Sequence, residues 1–109
     1  MPDSSGVPPG TLVMLVLRVL QSAPLHGYAI AQRIHAITQD ALQVEEGSLY
    51  PALQRILVKG WARAEWGTSE TGRKVRFYRL TPAGRKQLET EMRDYTRVNA
   101  AILAVLRTA

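Results

Sequence analysis

The spacing of apolar residues changes along the chain and predicts two kinds of secondary structure. Over about the first 60 residues they recur every three or four positions, as they do on the buried face of a helix. Residues 61–66 and 75–80 are two short runs of strand character, joined by the polar segment 67–72. Helical spacing then returns, so the predicted order is helix, helix, helix, strand, turn, strand, helix.

Local signals mark the ends of the first two helices. Thr11 can cap a first helix that runs to about Gln21. Pro24 ends this stretch because the residue before a proline avoids the helical conformation. A second helix is predicted over 27–37. The connector that follows, over 38–47, is longer than the tight turn of a plain helix-turn-helix.

The third helix carries both a proline and a terminating glycine. It is predicted to begin near Ser48, so that Pro51 falls in the first turn, where a missing amide costs no helical hydrogen bond. Gly60 suits the end of this helix because glycine readily takes the conformation that follows a last helical turn. The predicted helix therefore spans about 48–60.

Three helices followed by a two-stranded hairpin predict the fold class, which is mainly α, a winged helix-turn-helix with a C-terminal dimerisation helix. Thr81 caps this fourth helix, Pro82 is its first residue, and it runs to about Arg107. The predicted organisation is a flexible N-terminal arm at 1–9, a DNA-binding domain at 10–81 and the dimerisation helix at 82–109.

The charge of the chain suits a polyanionic partner. Lys and Arg number 14 against 9 Asp and Glu, and the segment 71–88 contains six basic residues and no acidic one. The absence of cysteine excludes disulfides and thiolate metal sites. The sequence shows neither a secretory leader nor an apolar run long enough to span a bilayer. We therefore expect a cytoplasmic protein that binds no membrane and needs no cofactor.

Three sequence blocks resemble the PadR family of transcriptional regulators: PLHGY at 24–28, EGSLYPAL at 46–53 and YRLTPAG at 78–84. The resemblance covers roughly residues 10–92. It implies a repressor of the multidrug-transporter or phenolic-acid-response kind, and the chain length is similar to that of the short subgroup with one C-terminal dimerisation helix. The resemblance also implies that a flat aromatic effector could bind near the centre of a dimer.

The outward face of the third helix carries side chains that can contact DNA. In the major groove Gln54 can pair with adenine and Arg55 with guanine. The other predicted contacts on this helix are Ser48, Tyr50, Pro51 and Lys59. The alternative is an ordinary solvated helix face. Tyr28, at the start of the second helix, could contact a phosphate or pack within the protein, and the sequence leaves both open.

The tip of the hairpin, residues 68–76, is the predicted wing. Arg73, Lys74 and Arg76 would lie against phosphates or enter the minor groove, which attracts arginine where it is narrow. The alternative is a solvated run of charge. Gly67 and Gly72 do not form a phosphate-binding loop, because no helix with a lysine–serine pair follows in the required frame.

The remaining residues with chemical potential favour structural roles. His26 and His35 are too few for a metal site without cysteine, and no serine, histidine and acid form a recognisable catalytic set. The protein is therefore predicted not to be an enzyme. Trp61 is expected in the core, whereas Trp66 could be buried or partly exposed.

The fourth helix has a heptad pattern that favours a dimer. Its seam residues recur at alternating steps of four and three and include one polar member; they are Leu88, Met92, Tyr95, Asn99, Ile102 and Leu106. Leu12 and Leu15 of the first helix are predicted to join this interface. The alternative is that the seam packs onto the first helix of the same chain.

These observations predict a sequence-specific DNA-binding regulator. It would act as a repressor and as a homodimer on an inverted-repeat operator, and a small hydrophobic or aromatic effector would relieve the repression. One alternative is a winged-helix module that pairs proteins without touching DNA. Another is a fragment of a larger enzyme, such as the dimerisation domain of a methyltransferase, and the missing catalytic set argues against it.

Overall fold

The computed structural model of the chain describes residues 6–8 and 10–108. Over these residues it confirms the mainly helical winged helix-turn-helix fold, with four helices and an antiparallel sheet. The elements in chain order are α1 (Leu12–Leu20), β1 (Leu25–His26), α2 (Gly27–Ile37), α3 (Glu46–Val58), β2 (Ala62–Thr68), β3 (Lys74–Leu80) and α4 (Pro82–Leu106).

Most of the predicted N-terminal arm, residues 1–5 and 9, lies outside the described residues. Within the described part, Gly6 forms a bridge with Gln43 and Val7 packs against the core. Thr11 stands at the start of α1, but its side chain does not cap the helix as predicted. The hydroxyl of Thr11 instead donates to the carbonyl of Pro8 (2.7 Å), which ties the segment before the helix to its first turn.

The sheet has three strands in the order β1-β3-β2, one more than the predicted hairpin. The additional strand β1 is two residues long and pairs Leu25 with Tyr78 and His26 with Phe77. The hairpin strands are also longer than predicted, because Gly67 and Lys74 belong to the paired region. Glycine leaves room at position 67, since the ring of Phe77 lies 2.8 Å from the position that a Cβ would occupy and would have to shift for a larger residue.

Helix α1 is the centre of the hydrophobic core. Val16 and Leu17 have no exposed surface, because α2, α3, α4 and β3 all pack around this helix. Arg18 is its one exposed residue. The apolar faces of the other helices pack onto it, so α2, α3, the hairpin and the terminal helix all share one core.

Helix α3 begins at Glu46, two residues before the predicted start. The carbonyl of Glu45 accepts hydrogen bonds from the amides of Ser48 (3.0 Å) and Leu49 (2.9 Å), so the helical pattern is already established at Ser48. The prediction that Pro51 lies in the first turn was therefore wrong, because Pro51 is the sixth helical residue. Since proline has no N–H, the carbonyl of Gly47 lacks its helical donor.

Helices α3 and α4 are joined by a small hydrogen-bonded hub at Thr81. Its hydroxyl donates to the carbonyl of Gly60 (2.6 Å) and accepts from the amide of Gly84 (3.0 Å), which confirms Thr81 as the cap of α4. The amide of Thr81 donates to the carbonyl of Trp61 (3.1 Å). Gly60 has a positive φ of 75°, which ends α3 as predicted from the glycine at this position.

Gly84 allows α4 to approach this hub, so we expect Gly84→Ala to destabilise the fold. A Cβ at Gly84 would overlap the carbonyl oxygen of Trp61, and a backbone atom cannot move aside as a flexible side chain can. We expect a loss of about 2–3 kcal/mol in the free energy of unfolding, at the upper end of overpacking costs. Urea denaturation followed by tryptophan fluorescence measures this loss.

Gly47→Ala is the matched control. A Cβ there would meet nothing within 4 Å, and Gly47 is also helical. Its unfolding free energy should stay the same or rise by up to about 1 kcal/mol, because alanine favours helix over glycine. Equal stabilities for the two variants would contradict the close approach at Gly84.

Candidate nucleic-acid interface

Helix α3 and its C-cap residue Lys59 expose every side chain of this segment that was predicted to contact DNA. The inward face consists of buried apolar residues, among them Leu49, Leu53 and Ile56, which hold the helix on the core. The outward side chains are all exposed; they are Ser48, Tyr50, Pro51, Gln54, Arg55 and Lys59. The exposed arc is broad, because successive helical residues are rotated by about 100°.

The middle of this arc and its two edges have different surroundings. Gln54 and Pro51 project from the middle, at helical positions between those of Tyr50 and Arg55. Tyr50 lies at the edge that faces the wing, where it lines a cleft of about 610 Å³. Ser48 and Arg55 lie at the opposite edge, beside a groove of about 580 Å³ next to the N-terminal segment.

The wing-side cleft brings together side chains from α2, α3 and the hairpin turn. Tyr28, Tyr50 and Arg73 all line it, although they are far apart in the sequence. Tyr28 is 68% exposed, so its ring does not pack in the core, and its contact with a phosphate stays a prediction. Tyr50 also lies close to the backbone of Gly27, because a Cβ built there would be 3.4 Å from the hydroxyl oxygen of Tyr50.

Two acidic residues in the same cleft were missed in the sequence analysis. Glu46 is the first residue of α3, and Glu70 lies in the hairpin turn. The amino-terminal end of a helix favours a carboxylate, which accounts for Glu46 in terms of the helix dipole. Carboxylates repel phosphates but accept hydrogen bonds from the amino group of cytosine in the major groove. Glu46 was missed because the sequence analysis placed it in the connector, whereas α3 already begins at this residue.

The wing residues divide between the turn and one face of the hairpin. The turn is closed by a hydrogen bond from the amide of Ser69 to the carbonyl of Arg73 (2.8 Å). Arg73 lines the wing-side cleft, whereas Lys74 and Arg76 lie on the strand and share a face with Trp66. The sequence left open whether Trp66 is buried or partly exposed, and its side chain is 64% exposed.

Both histidines have structural hydrogen bonds, as the sequence analysis favoured. Nδ1 of His26 accepts the amide of Ala29 (3.4 Å) at the start of α2. Nε2 of His35 accepts the amide of Val44 (2.8 Å), which fixes the connector that leads to α3. In the part of the chain that the structure describes, no group of three or more His, Cys, Asp or Glu residues is arranged to hold a metal ion.

The second half of α4 carries an exposed apolar stripe. Ile102 is 53% exposed and Leu106 is 73% exposed, and Met92 and Tyr95 are also exposed. Leu88 differs from the predicted seam, because it is only 1% exposed and belongs to the core of its own chain. The stripe further contains Asn99, Val98 and Val105, of which the two valines were not in the predicted seam.

Helices α1 and α4 meet beside this stripe. Leu12 and Leu15 are only partly buried, so α1 keeps some apolar surface for an interface. A groove of about 170 Å³ lies between the two helices and is lined by Met14, Leu15, Arg18, Met92, Tyr95 and Thr96.

Over the described residues, no helix is both long enough and apolar enough to cross a membrane.

An exposed helix beside a basic hairpin, both packed on one core, is the arrangement of a winged helix-turn-helix protein. Residues 16–90 match the family model described as "Transcriptional regulator PadR-like family". The chain belongs to the PadR-like family of transcriptional regulators, which confirms the resemblance found in the three sequence blocks. Members of this family are DNA-binding regulators and not enzymes, so the chain is a transcriptional regulator.

Proteins similar to this chain support the same assignment. "Uncharacterized protein X" of Lysinibacillus sphaericus is 30% identical over 93 residues, which are 85% of each chain. A transcriptional regulator from Clostridium thermocellum has a TM-score of 0.80 and 25% identity, covering 87% of this chain and 92% of that one. A PadR family transcriptional regulator from Eggerthella lenta has a TM-score of 0.75 and 28% identity, covering 92% and 85%.

Proposed function

We propose that the protein is a sequence-specific repressor that binds an inverted-repeat operator as a homodimer in the cytoplasm. The observation that carries the proposal is the wing-side cleft, in which α2, α3 and the hairpin turn converge beside the exposed face of α3. A helix that is held by its inner face and exposed over its outer side can enter a major groove. The net charge of +5 favours association with duplex DNA.

The proposed contacts follow the position of each side chain on this surface. Gln54, at the middle of the exposed arc, and Arg55, at its edge, read bases in the major groove. The flanking groups contact phosphates, and the wing meets the adjacent minor groove. The phosphate contacts proposed for α2 and α3 are Tyr28, Ser48, Tyr50 and Lys59, with Pro51 packed against the groove wall.

Base reading by α3 can be tested with Gln54→Ala and Arg55→Ala. Each variant should lose discrimination at one base pair per half-site, at a cost of about 1–3 kcal/mol for a bidentate contact. Duplexes selected from a random pool by each variant, followed by affinity measurements over a salt series, give the result. Arg97→Ala is the control for Arg55→Ala, because it removes the same charge from the outer side of α4. Identical selected sequences for all variants and the parent would contradict base reading by these residues.

The proposed dimer rests on the exposed stripe of α4. An apolar surface of this extent on a protein of 109 residues is best explained by a partner surface. A second copy offers the same stripe, and its heptad spacing suits helix-to-helix packing. Two α3 helices related by a two-fold axis would select half-sites about one helical turn apart, roughly 10 bp, or a multiple of it.

The dimer can be tested with the double substitution Ile102→Asp and Leu106→Asp. Because both side chains are exposed in the protomer, the protomer should remain folded while the interface gains buried, unpaired carboxylates. We expect a monomer by light scattering and loss of operator binding. Ala100→Asp with Ala104→Asp is the control on the outer side of the same helix, and it should remain a dimer. A double variant that stays dimeric and still binds the operator would exclude α4 as the dimerisation element.

The proposed effector is a flat hydrophobic compound that binds between α1 and α4 near the two-fold axis. The groove at Leu15, Met92 and Tyr95 supports this proposal, because methionine adapts to ligands of different shape and tyrosine can stack on a ring. A compound that binds there should change tryptophan fluorescence and lower the affinity for operator DNA. If a panel of planar aromatic compounds changes neither quantity, the effector proposal fails while DNA binding stands.

A further inference from the structure

Trp66 is a large aromatic side chain on the surface of the wing with two cations over its ring. The Nζ of Lys74 lies 5.2 Å from the ring centroid, and the Cζ of Arg76 lies 5.9 Å from it. Arg76 is also the cross-strand partner of Trp66 and lies 6.0 Å from the ring of Tyr78. These distances fall within the range of cation–π attraction. The ring therefore restricts the positions of the Lys74 ammonium and the Arg76 guanidinium.

The positive charges of Lys74 and Arg76 remain available to a partner. Among the residues that the structure describes, the one ion pair joins Arg79 to Glu65 (3.3 Å), and it lies on the opposite face of the hairpin. A cation held over a ring keeps the donors that face away from the ring free for a phosphate. Long basic side chains lose rotamer freedom on binding, and a ring that already restricts them reduces this loss.

Arg73 and the Trp66 face point to different sides of the hairpin. Side chains alternate along a strand, so Val75 projects opposite to Lys74 and Arg76. Val75 lines the wing-side cleft together with Arg73. The basic residues of the wing are therefore split, with Arg73 on the cleft side and the other two on the far side. The two paired strands are about 5 Å apart, and a B-DNA minor groove is about 6 Å wide, so a hairpin turn over the groove has one DNA strand on each side.

We infer that Trp66 is a positioning residue that holds Lys74 and Arg76 against the phosphates of one DNA strand, while Arg73 contacts the other strand across the same minor groove. This inference rests on the proposed DNA binding and adds the arrangement of the wing on the duplex. Trp66 acts through the two cations and does not itself read a base. The wing thus contacts phosphates on both sides of the minor groove, and a hairpin of this length is sufficient.

A double-mutant cycle tests whether Trp66 acts through the cations. Trp66→Leu keeps an apolar side chain but removes the aromatic face, and it should weaken duplex binding about fivefold at low salt. Trp66→Phe keeps a ring and should stay within about twofold of the parent. In the Lys74→Ala, Arg76→Ala background, Trp66→Leu should have no further effect. In the Arg73→Ala background its full effect should remain, because that contact lies on the other side.

Phosphate ethylation interference on the selected duplex tests the two-sided contact. The parent should show two clusters of sensitive phosphates on opposite strands across one minor groove. Trp66→Leu should weaken one cluster, and Arg73→Ala should remove the other. Arg63→Ala, an exposed cation on the opposite face of β2, is the control and should change neither cluster.

The outcomes separate the inference from the function on which it rests. Equal affinities of Trp66→Leu and the parent, or a loss that persists without Lys74 and Arg76, would overturn the positioning role. A parent protein that binds no duplex at all would instead contradict the proposed DNA binding. Urea unfolding midpoints show whether the variants remain folded, and Trp66→Thr, which suits a strand, replaces Trp66→Leu in the cycle if the leucine variant is unstable.

Discussion

The hydroxyl of Thr81 connects the segment that follows α3 to the start of the terminal helix α4. It donates to the carbonyl of Gly60, just after α3, and accepts from the amide of Gly84 in the first turn of α4, so one oxygen atom holds the end of α3 against the start of α4. The missing side chain of Gly84 lets α4 approach the Trp61 carbonyl closely enough for this geometry. In a dimer built on α4, the distance between two α3 helices would therefore depend on this hub.

Helix α1 gives the rest of the molecule a common support. The wing packs on it through β3 and the terminal helix packs directly on it, and α2 and α3 close the remaining sides. Side chains that are buried this completely tolerate little displacement, because protein interiors are packed as densely as organic crystals. A shift of α4 would thus be transmitted through α1 to the sheet and to α3. The groove between α1 and α4 lies directly against α1, the helix that would transmit such a shift.

The sequence predicted those features whose causes are local. The bounds of α2, the cap and proline at the start of α4, and the hairpin all follow from neighbouring residues, and the structure confirms them. Features that depend on tertiary packing were missed. Strand β1 has two residues and exists because β3 lies beside it, and the early start of α3 comes from the backbone around Glu45. Leu88 fits the heptad pattern, but the pattern cannot distinguish packing on α1 of the same chain from packing on a partner. The placement of Arg73 on one side of the hairpin and of Lys74 and Arg76 on the other could be recognised only from the pairing register of β2 and β3.

The exposed second half of α4 has a consequence for how the protein responds to its own abundance. Beyond Met92 this helix has little support from its own core, and a helix end without tertiary support is marginally stable in water. A partner chain would supply that support, so the ordered length of α4 and the amount of dimer would both follow mass action. Occupancy of an operator would then rise more steeply than in proportion to the number of chains in the cell, and a modest fall in synthesis would release the DNA.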